Sequence, residues 1–353
     1  MTATPMPAAP TAASDPLRVA LQGVLDEGGG RFGGVARLAR RPSPYGSSST
    51  LEELDVVLDD GGELALVFKD LGPHARSVAA REARPSDLHD PLREIEAYRR
   101  VLAPASLSTA AFIGAVTEPA LGRYWLFLER VPGVGLDQVG SVEVWAAAAA
   151  WLGRMHRSFA NQTARLEGEP HLLRYDAGHF AGWARRAVHV ARQARSRDES
   201  RTIEWISVRY LGTVERLAAM PRTFVHGDCY ASNVLVEAGT DSPRVCPVDW
   251  ELAGVGPGPL DLAALVAGDW TEEPRAAIVG AYREAFDPGA GSGGLPRGPG
   301  PDASNDRFLD DLDRCSLYLA MRCLTRSPKW PAPPQHARDW VAEGLRLAER
   351  VGD

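Results

Sequence analysis

The sequence predicts an α+β fold in two lobes: a small one built on a five-stranded antiparallel sheet with one main helix, and a large one that is mostly helical. Three observations carry this prediction. Five short runs in the first 131 residues have strand composition and are bounded by turn residues. A single helical pattern separates the third run from the fourth. From Ser141 onward, nearly every patterned segment repeats with the period of a helix. The small lobe is expected over 17–131 and the large lobe over 132–353.

Residues 1–16, biased toward Ala, Pro and Thr, are expected to form a disordered tail. They lack the basic and apolar segments of a secretory signal. Strands are predicted at 35–40, 53–58 and 64–69, with Asp59-Asp60-Gly61-Gly62 as the tight turn between the last two. Between the first two strands lies PSPYGSSST. Its small residues, Ser47 and Ser48 among them, are the candidate phosphate-covering loop, although it is not a GxGxxG sequence. A helix follows from about Pro91, with Leu92, Ile95, Tyr98, Arg99 and Leu102 at helical spacing. Strands at 112–117 and 124–129 complete the sheet. The chain then runs through Glu129, Arg130 and Val131 into Pro132-Gly133, where backbone groups of Glu129 to Val131 could meet an adenine edge.

Further helices are predicted at 142–159, 203–219, 260–266, 273–286, 308–325 and 336–351. The Gly- and Pro-rich stretch 287–305 reads as a flexible insertion. His156 falls on the first of these helices, where a packing role suits it better than a catalytic one.

Composition excludes some functions. The net charge of −7 argues against a nucleic-acid partner, and no apolar run approaches a membrane span. The four cysteines form neither a metal-ligand pattern nor a dense disulfide pattern, so a reducing cytoplasm is the expected location. The chain contains only two lysines, Lys69 and Lys329, among 39 basic residues. Lys69 closes the apolar run LALVF, where a compact ammonium can reach crowded phosphates that a broad guanidinium would not fit. Glu94, on the predicted small-lobe helix, is the candidate partner of Lys69, with Glu96 as competitor.

The segment HGDCYASNVLV followed by PVDWE is the most specific feature. Asp228 can accept the proton of an attacking hydroxyl, and Asn233 and Asp249 can hold magnesium on nucleotide phosphates. Two short strands around 238–242 would form a hairpin that returns Asn233 and Asp249 to the same end. Cys229, beside Asp228, could make such a site sensitive to thiol reagents. A metal-dependent hydrolase using His226 and Asp228 lacks further His ligands at useful spacing.

With Lys69, REIEAYRRVL, HGDCYASNVLV and PVDWELAGVGPGPLDLAAL in view, the chain resembles the aminoglycoside phosphotransferase and choline kinase-like family, with a protein kinase-like fold. The resemblance runs from about Val35 to the C-terminal helices. It implies an ATP- and magnesium-dependent kinase, with GTP as an open alternative donor. Asp228 is then the residue that faces the substrate hydroxyl and acts as its base, Asn233 and Asp249 the metal ligands, and Lys69 the phosphate contact oriented by Glu94. It also implies that Asp261 braces the catalytic loop, where a helix N-cap is the plainer role.

Gly227 stands where protein kinases carry Arg, and only eleven residues separate Asp249 from Asp261. That leaves little room to dock a polypeptide. The expected acceptor is a hydroxyl of a small molecule: an aminoglycoside, amino sugar or related antibiotic, or else choline, an amino alcohol or a sugar. The acidic runs around Asp310, Asp311 and Asp313 and around Asp269 could face a polyamine, or could be solvated helix surfaces. A silent nucleotide-binding pseudokinase is the contrasting class, and a monomer or homodimer is expected.

Overall fold

The computed structural model describes residues 15–28, 32–45, 50–75, 88–237, 243–287, 303–326 and 338–351. Internal contacts divide the chain into two compact units, Met1–Ala80 with Ala110–Arg130, and Arg81–Thr109 with Val131–Asp353. The segment carrying Glu94 therefore groups with the second unit, whereas the sequence reading placed 17–131 together.

The first unit opens with helix α1, Pro16–Glu27. The expected tail extended to Pro16, but Asp15 caps this helix, its carboxylate accepting the Leu17 N–H at 3.0 Å, and Pro16 occupies the first turn. Leu17, Leu21, Val24 and Leu25 form a buried stripe at helical spacing. The sheet comprises β1 (Val35–Pro42), β2 (Thr50–Leu58), β3 (Glu63–Asp70), β4 (Phe112–Glu118) and β5 (Arg123–Glu129). Its order is β1-β2-β3-β5-β4, with every neighbouring pair antiparallel, as expected. Gly61, at φ 86°, makes the tight turn between β2 and β3.

Alternation along the strands sends Leu54, Val56, Leu66, Phe68 and Phe127 into one core with the α1 stripe. Each such side chain stabilises the unit by about 1.5–3 kcal/mol. Lys69, next to Phe68, takes the opposite face, in register with Leu51 on β2 and Leu126 on β5, and is buried there.

In the second unit, α2 begins as Arg93–Glu96 and widens into a π-type turn over Ala97–Leu102. A regular α-helix was expected there, and π turns of this kind frequently mark functional segments. After the two-residue strand β6, Val134–Gly135, come α3 (Val142–Phe159), with the predicted bounds, and α4 (Thr163–Glu167). Strand β7 (Leu173–Arg174) and helix α5 (Ala177–Ala194) follow, neither expected from sequence. The helix predicted over 203–219 is two helices, α6 (Arg197–Leu211) and α7 (Val214–Ala219). A Ser196–Glu199 capping box starts the first, and Gly212 ends it.

Strands β8 (Arg222–Val225), β9 (Val234–Glu237), β10 (Arg244–Pro247) and β11 (Gly254–Pro257) belong to two small sheets, β10-β9-β6 and β7-β11-β8. The predicted hairpin is present as the β9–β10 pair, and its turn, 238–242, lies outside the described residues. Helices α8 (Pro259–Leu265), α9 (Glu272–Phe286), α10 (Ala303–Leu324) and α11 (Trp340–Arg350) complete the unit. Of the expected insertion, Asp287 caps α9 and 303–305 belong to α10, while 288–302 lie outside the described residues. No helix among the described residues is long and apolar enough to cross a membrane.

Candidate active site

Strand β8 delivers His226 and Gly227, and a fixed network determines how the chain continues to Asp228. The Asp261 carboxylate accepts the backbone N–H of His226 at 2.7 Å and that of Gly227 at 2.8 Å. Asp261 is fully buried in the first turn of α8, and His156 reaches its Oδ2 at 3.1 Å while its other ring nitrogen meets the Tyr282 hydroxyl at 2.9 Å. The acid reaches across to another loop instead of capping its own helix. His156 packs and orients, as expected.

Gly227 has φ 80°, and a Cβ there would lie 2.0 Å from the Tyr175 hydroxyl and 2.4 Å from the Leu252 carbonyl. Only glycine fits. His226 uses both ring nitrogens locally: Nδ1 accepts the Asp228 N–H at 3.3 Å, and Nε2 lies 2.9 Å from the Val248 carbonyl, to which it donates. A ring so engaged is not available as a metal ligand, which removes the hydrolase alternative.

Asn233 is tied into the same loop, its side-chain N–H₂ donating to the Asp228 carbonyl at 2.9 Å. Its own carbonyl accepts the Val248 N–H at 2.9 Å, one residue before Asp249, so the β9–β10 hairpin brings Asn233 beside Asp249. Asp249 has φ 68°, a left-handed conformation that costs a non-glycine residue about 1–3 kcal/mol and clusters at functional sites. With the Asn233 nitrogen committed, its amide oxygen and the Asp249 carboxylate are the hard oxygen donors that this end of the hairpin offers. Magnesium suits such a pair, since it commonly takes one or two protein oxygens and completes its shell with phosphate and water. Among the described residues, no group of three or more His, Cys, Asp or Glu gathers into a metal cluster.

Glu94 is 1% exposed and accepts the Trp250 N–H at 3.3 Å, immediately after Asp249. Its competitor Glu96 is bound to Arg99 and Arg100 on its own helix, the latter at 2.6 Å. Arg93 donates to the carbonyls of Leu88, His171 and Glu251 at 2.7–2.9 Å, joining the start of α2 to the same segment. Burial lowers its pKa from the usual arginine value. Trp250 is fully buried and stacks on Phe224 with centroids 5.4 Å apart.

Asp228 itself is 5% exposed, and the residue that holds it went unnoticed in the sequence. Arg322 of α10 donates one Nη to Asp228 Oδ1 at 2.9 Å and the other to the Gly227 carbonyl at 2.7 Å. Burial disfavours the charge of Arg322, but Tyr318, Asp228 and Tyr230 outweigh that and raise its pKa well above the usual value. The signal was available: a lone arginine within the apolar run Leu319-Ala320-Met321 and Cys323-Leu324.

Other expectations narrow or fail. Ser47 and Ser48 lie outside the described residues. The amides of Glu129 and Arg130 are donated to Ala111 and Ala65 carbonyls at 2.9 and 3.0 Å, so an adenine edge would have to use other backbone groups of the segment, such as those of Val131. Cys229 is fully buried and burial pushes its thiol pKa well up, so the expected thiol sensitivity does not follow. The acidic runs divide: Asp311 and Asp313 are largely covered and pair with Arg216 at 2.8 Å and Arg350 at 3.0 Å, whereas Asp269 and Asp310 are exposed even though they pair with Arg338 at 2.6 Å and with Arg314, as expected of solvated surface acids. A cavity of about 510 Å³ lined by Asp269, Trp270, Arg275, Asp313, Ser316 and Trp340 includes members of both acidic runs but none of the proposed catalytic, nucleotide-binding or metal-binding residues. The chemistry of the HGD loop, rather than that hollow, marks the candidate site.

Comparison with known proteins bears on the family and the fold. The model of the phosphotransferase enzyme family matches residues 55–299. No curated protein matches the chain in sequence. Among solved structures, an aminopropanol kinase associated with a microcompartment superposes with a TM-score of 0.62 at 15% identity, covering 95% of this chain and 97% of its own. An amicoumacin kinase in complex with AMP-PNP and Ca2+ follows with a TM-score of 0.58 at 12% identity, covering 96% and 95%. An ethanolamine kinase of Plasmodium vivax gives 0.53 at 11%, covering 92% and 85%. At these identities the likeness is one of fold, which is α+β and protein kinase-like.

Proposed function

Because the chain belongs to the phosphotransferase enzyme family, we propose that it moves the γ-phosphoryl group of ATP to a hydroxyl of a small molecule. Asp228 accepts the hydroxyl proton as the phosphoryl group transfers and ADP leaves. Lys69 contacts the phosphates and Glu94 is its partner. Asp249 and Asn233 would hold magnesium, which when bound draws charge from the β- and γ-phosphate oxygens. Val131, with the neighbouring backbone of Glu129 and the loop serines Ser47 and Ser48, completes the proposed nucleotide contacts. GTP remains the competing donor. Buried free cysteines accord with a cytoplasmic site of action.

What supports the reading above all is the hydrogen-bonded joining of Asp228, Asn233 and the Val248–Asp249 step, with Asp249 in a left-handed conformation. For the acceptor, an aminoglycoside, amino sugar or related antibiotic follows from the resemblance. The competing acceptor is choline, an amino alcohol or a sugar, in line with the aminopropanol and ethanolamine kinases among the solved structures of similar fold. Fold alone does not choose between them. ATP consumption against aminoglycosides, amino sugars, macrolides and amino alcohols, with and without magnesium, tests both. Saturable magnesium-dependent turnover on one compound is expected. Nucleotide binding without turnover on any acceptor would identify a pseudokinase instead.

A further inference from the structure

We infer that Arg322 is the positioning residue for Asp228, holding its carboxylate in the orientation that receives the acceptor's proton. The inference rests on the proposed role of Asp228 as base. Two bonds from one planar guanidinium, at 2.9 Å to Oδ1 and 2.7 Å to the Gly227 carbonyl, tie the carboxylate to the backbone that carries it. A carboxylate on two rotatable bonds would otherwise turn relative to that loop. The fork removes this freedom, because its geometry fixes both contacts at once.

The arginine is itself held. Its guanidinium lies 5.7 Å from the Trp183 ring and 5.8 Å from the Tyr318 ring, and both partners of the ion pair have side chains no more than 8% exposed. Trp183 and Tyr318 are in turn joined through His179, whose Nε2 lies 3.0 Å from the Tyr318 hydroxyl and 3.2 Å from the Trp183 ring nitrogen. A buried ion pair gains little stability over apolar residues of the same volume. Orientation of the carboxylate explains its place better than stability does. Asp261 fixes the backbone of His226 and Gly227 from one side, and Arg322 fixes the Gly227 carbonyl and the Asp228 carboxylate from the other.

A double-mutant cycle between Arg322→Met and Asp228→Asn tests this, read as magnesium-dependent ATP turnover with ethanolamine as acceptor and with water alone. Arg322→Met is expected to lower kcat about 10- to 100-fold while KM for ATP moves less than about 2-fold, the split produced by misplacing a group that acts in the transition state. Arg322→Lys, which can keep the charge and one bond but not the fork, should fall between Met and wild type. In the Asp228→Asn background, Arg322→Met should cost nothing more, because its effect runs through the carboxylate already removed. Wild-type kcat in Arg322→Met, or losses that multiply in the double variant, would overturn the inference. Should Arg322→Met not fold, the same cycle with Arg322→Lys decides. Wild-type kcat in Asp228→Asn is a different failure: it would remove the base assignment itself.

Discussion

Two buried aspartates flank the His226–Gly227 turn, and the molecule holds them in different ways. Asp261 is surrounded by fixed donors, two backbone N–H groups and the ring of His156. Its oxygens are spent on shaping the loop. Asp228 instead receives a charged side chain, the arginine of a helix 94 residues away, which ties its carboxylate to its own loop. Residue type and burial are nearly the same in the two cases. The partners differ: backbone donors make a carboxylate a structural strut, whereas a charged fork orients the carboxylate proposed to act as base.

The comparison breaks most sharply on activity. Asp228→Asn keeps an acceptor oxygen for Arg322, so the protein should fold, while kcat falls by roughly 10²–10⁴ for want of a proton acceptor. Steady-state kinetics alongside a thermal melt will check this, and an enzyme with unimpaired kcat would place Asp228 with Asp261 as a strut. The converse substitution, Asp261→Ala, strands two buried N–H groups and His156, and is expected to cost about 3–5 kcal/mol of stability. Denaturant titration measures it. A variant that unfolds like wild type but has lost turnover would show that Asp261 acts on the reaction directly.

The smallest effect concerns pH and the side of the site that holds Arg322. His179 is pushed down from 6.5 to about 3, first by burial and then by the charge of Arg322, with Asp176 opposing and Arg186 and Arg93 adding to the depression. The unfolded chain therefore takes up a proton on this residue before the folded one does. Its contribution favours folding fully above about pH 6.5 and is lost as the pH falls toward 3, by about 1.4 kcal/mol per unit at most. Denaturant midpoints of wild type and His179→Gln between pH 7 and 4.5 should show a shallower loss in the variant. Equal slopes would mean that His179 protonates in the folded protein after all.

Much of the fold was legible because its signals are local. Five short strand-forming runs are bounded by turn residues, and Asp59 to Gly62 supplies a tight turn, so the strands of the sheet follow from neighbours in sequence. The β9–β10 hairpin was readable for the same reason, and with it the return of Asn233 to Asp249. Helix α1 was missed although Asp15-Pro16 is a strong start signal, because the biased composition before it extended the apparent tail. Choosing Glu94 over Glu96 from sequence had only placement to go on; the structure separates them, one bound to the Trp250 backbone and the other to two arginines of its own helix.

What the sequence set out by itself was the chemistry proposed for the loop: an acid for the hydroxyl proton, two oxygen donors for a cation, and a glycine between histidine and acid. The resemblance already implied that Asp261 braces this loop; the tertiary structure alone showed how it does so and that Arg322 holds Asp228. Asp261 reaches the loop from 33 positions beyond Asp228, and Arg322 from 94. Neither distance has a periodicity that a pattern could reveal. Such pairs form because helices α8 and α10 pack where they do, and the burial that makes an unpaired charge costly selects the partner only once the chain has folded.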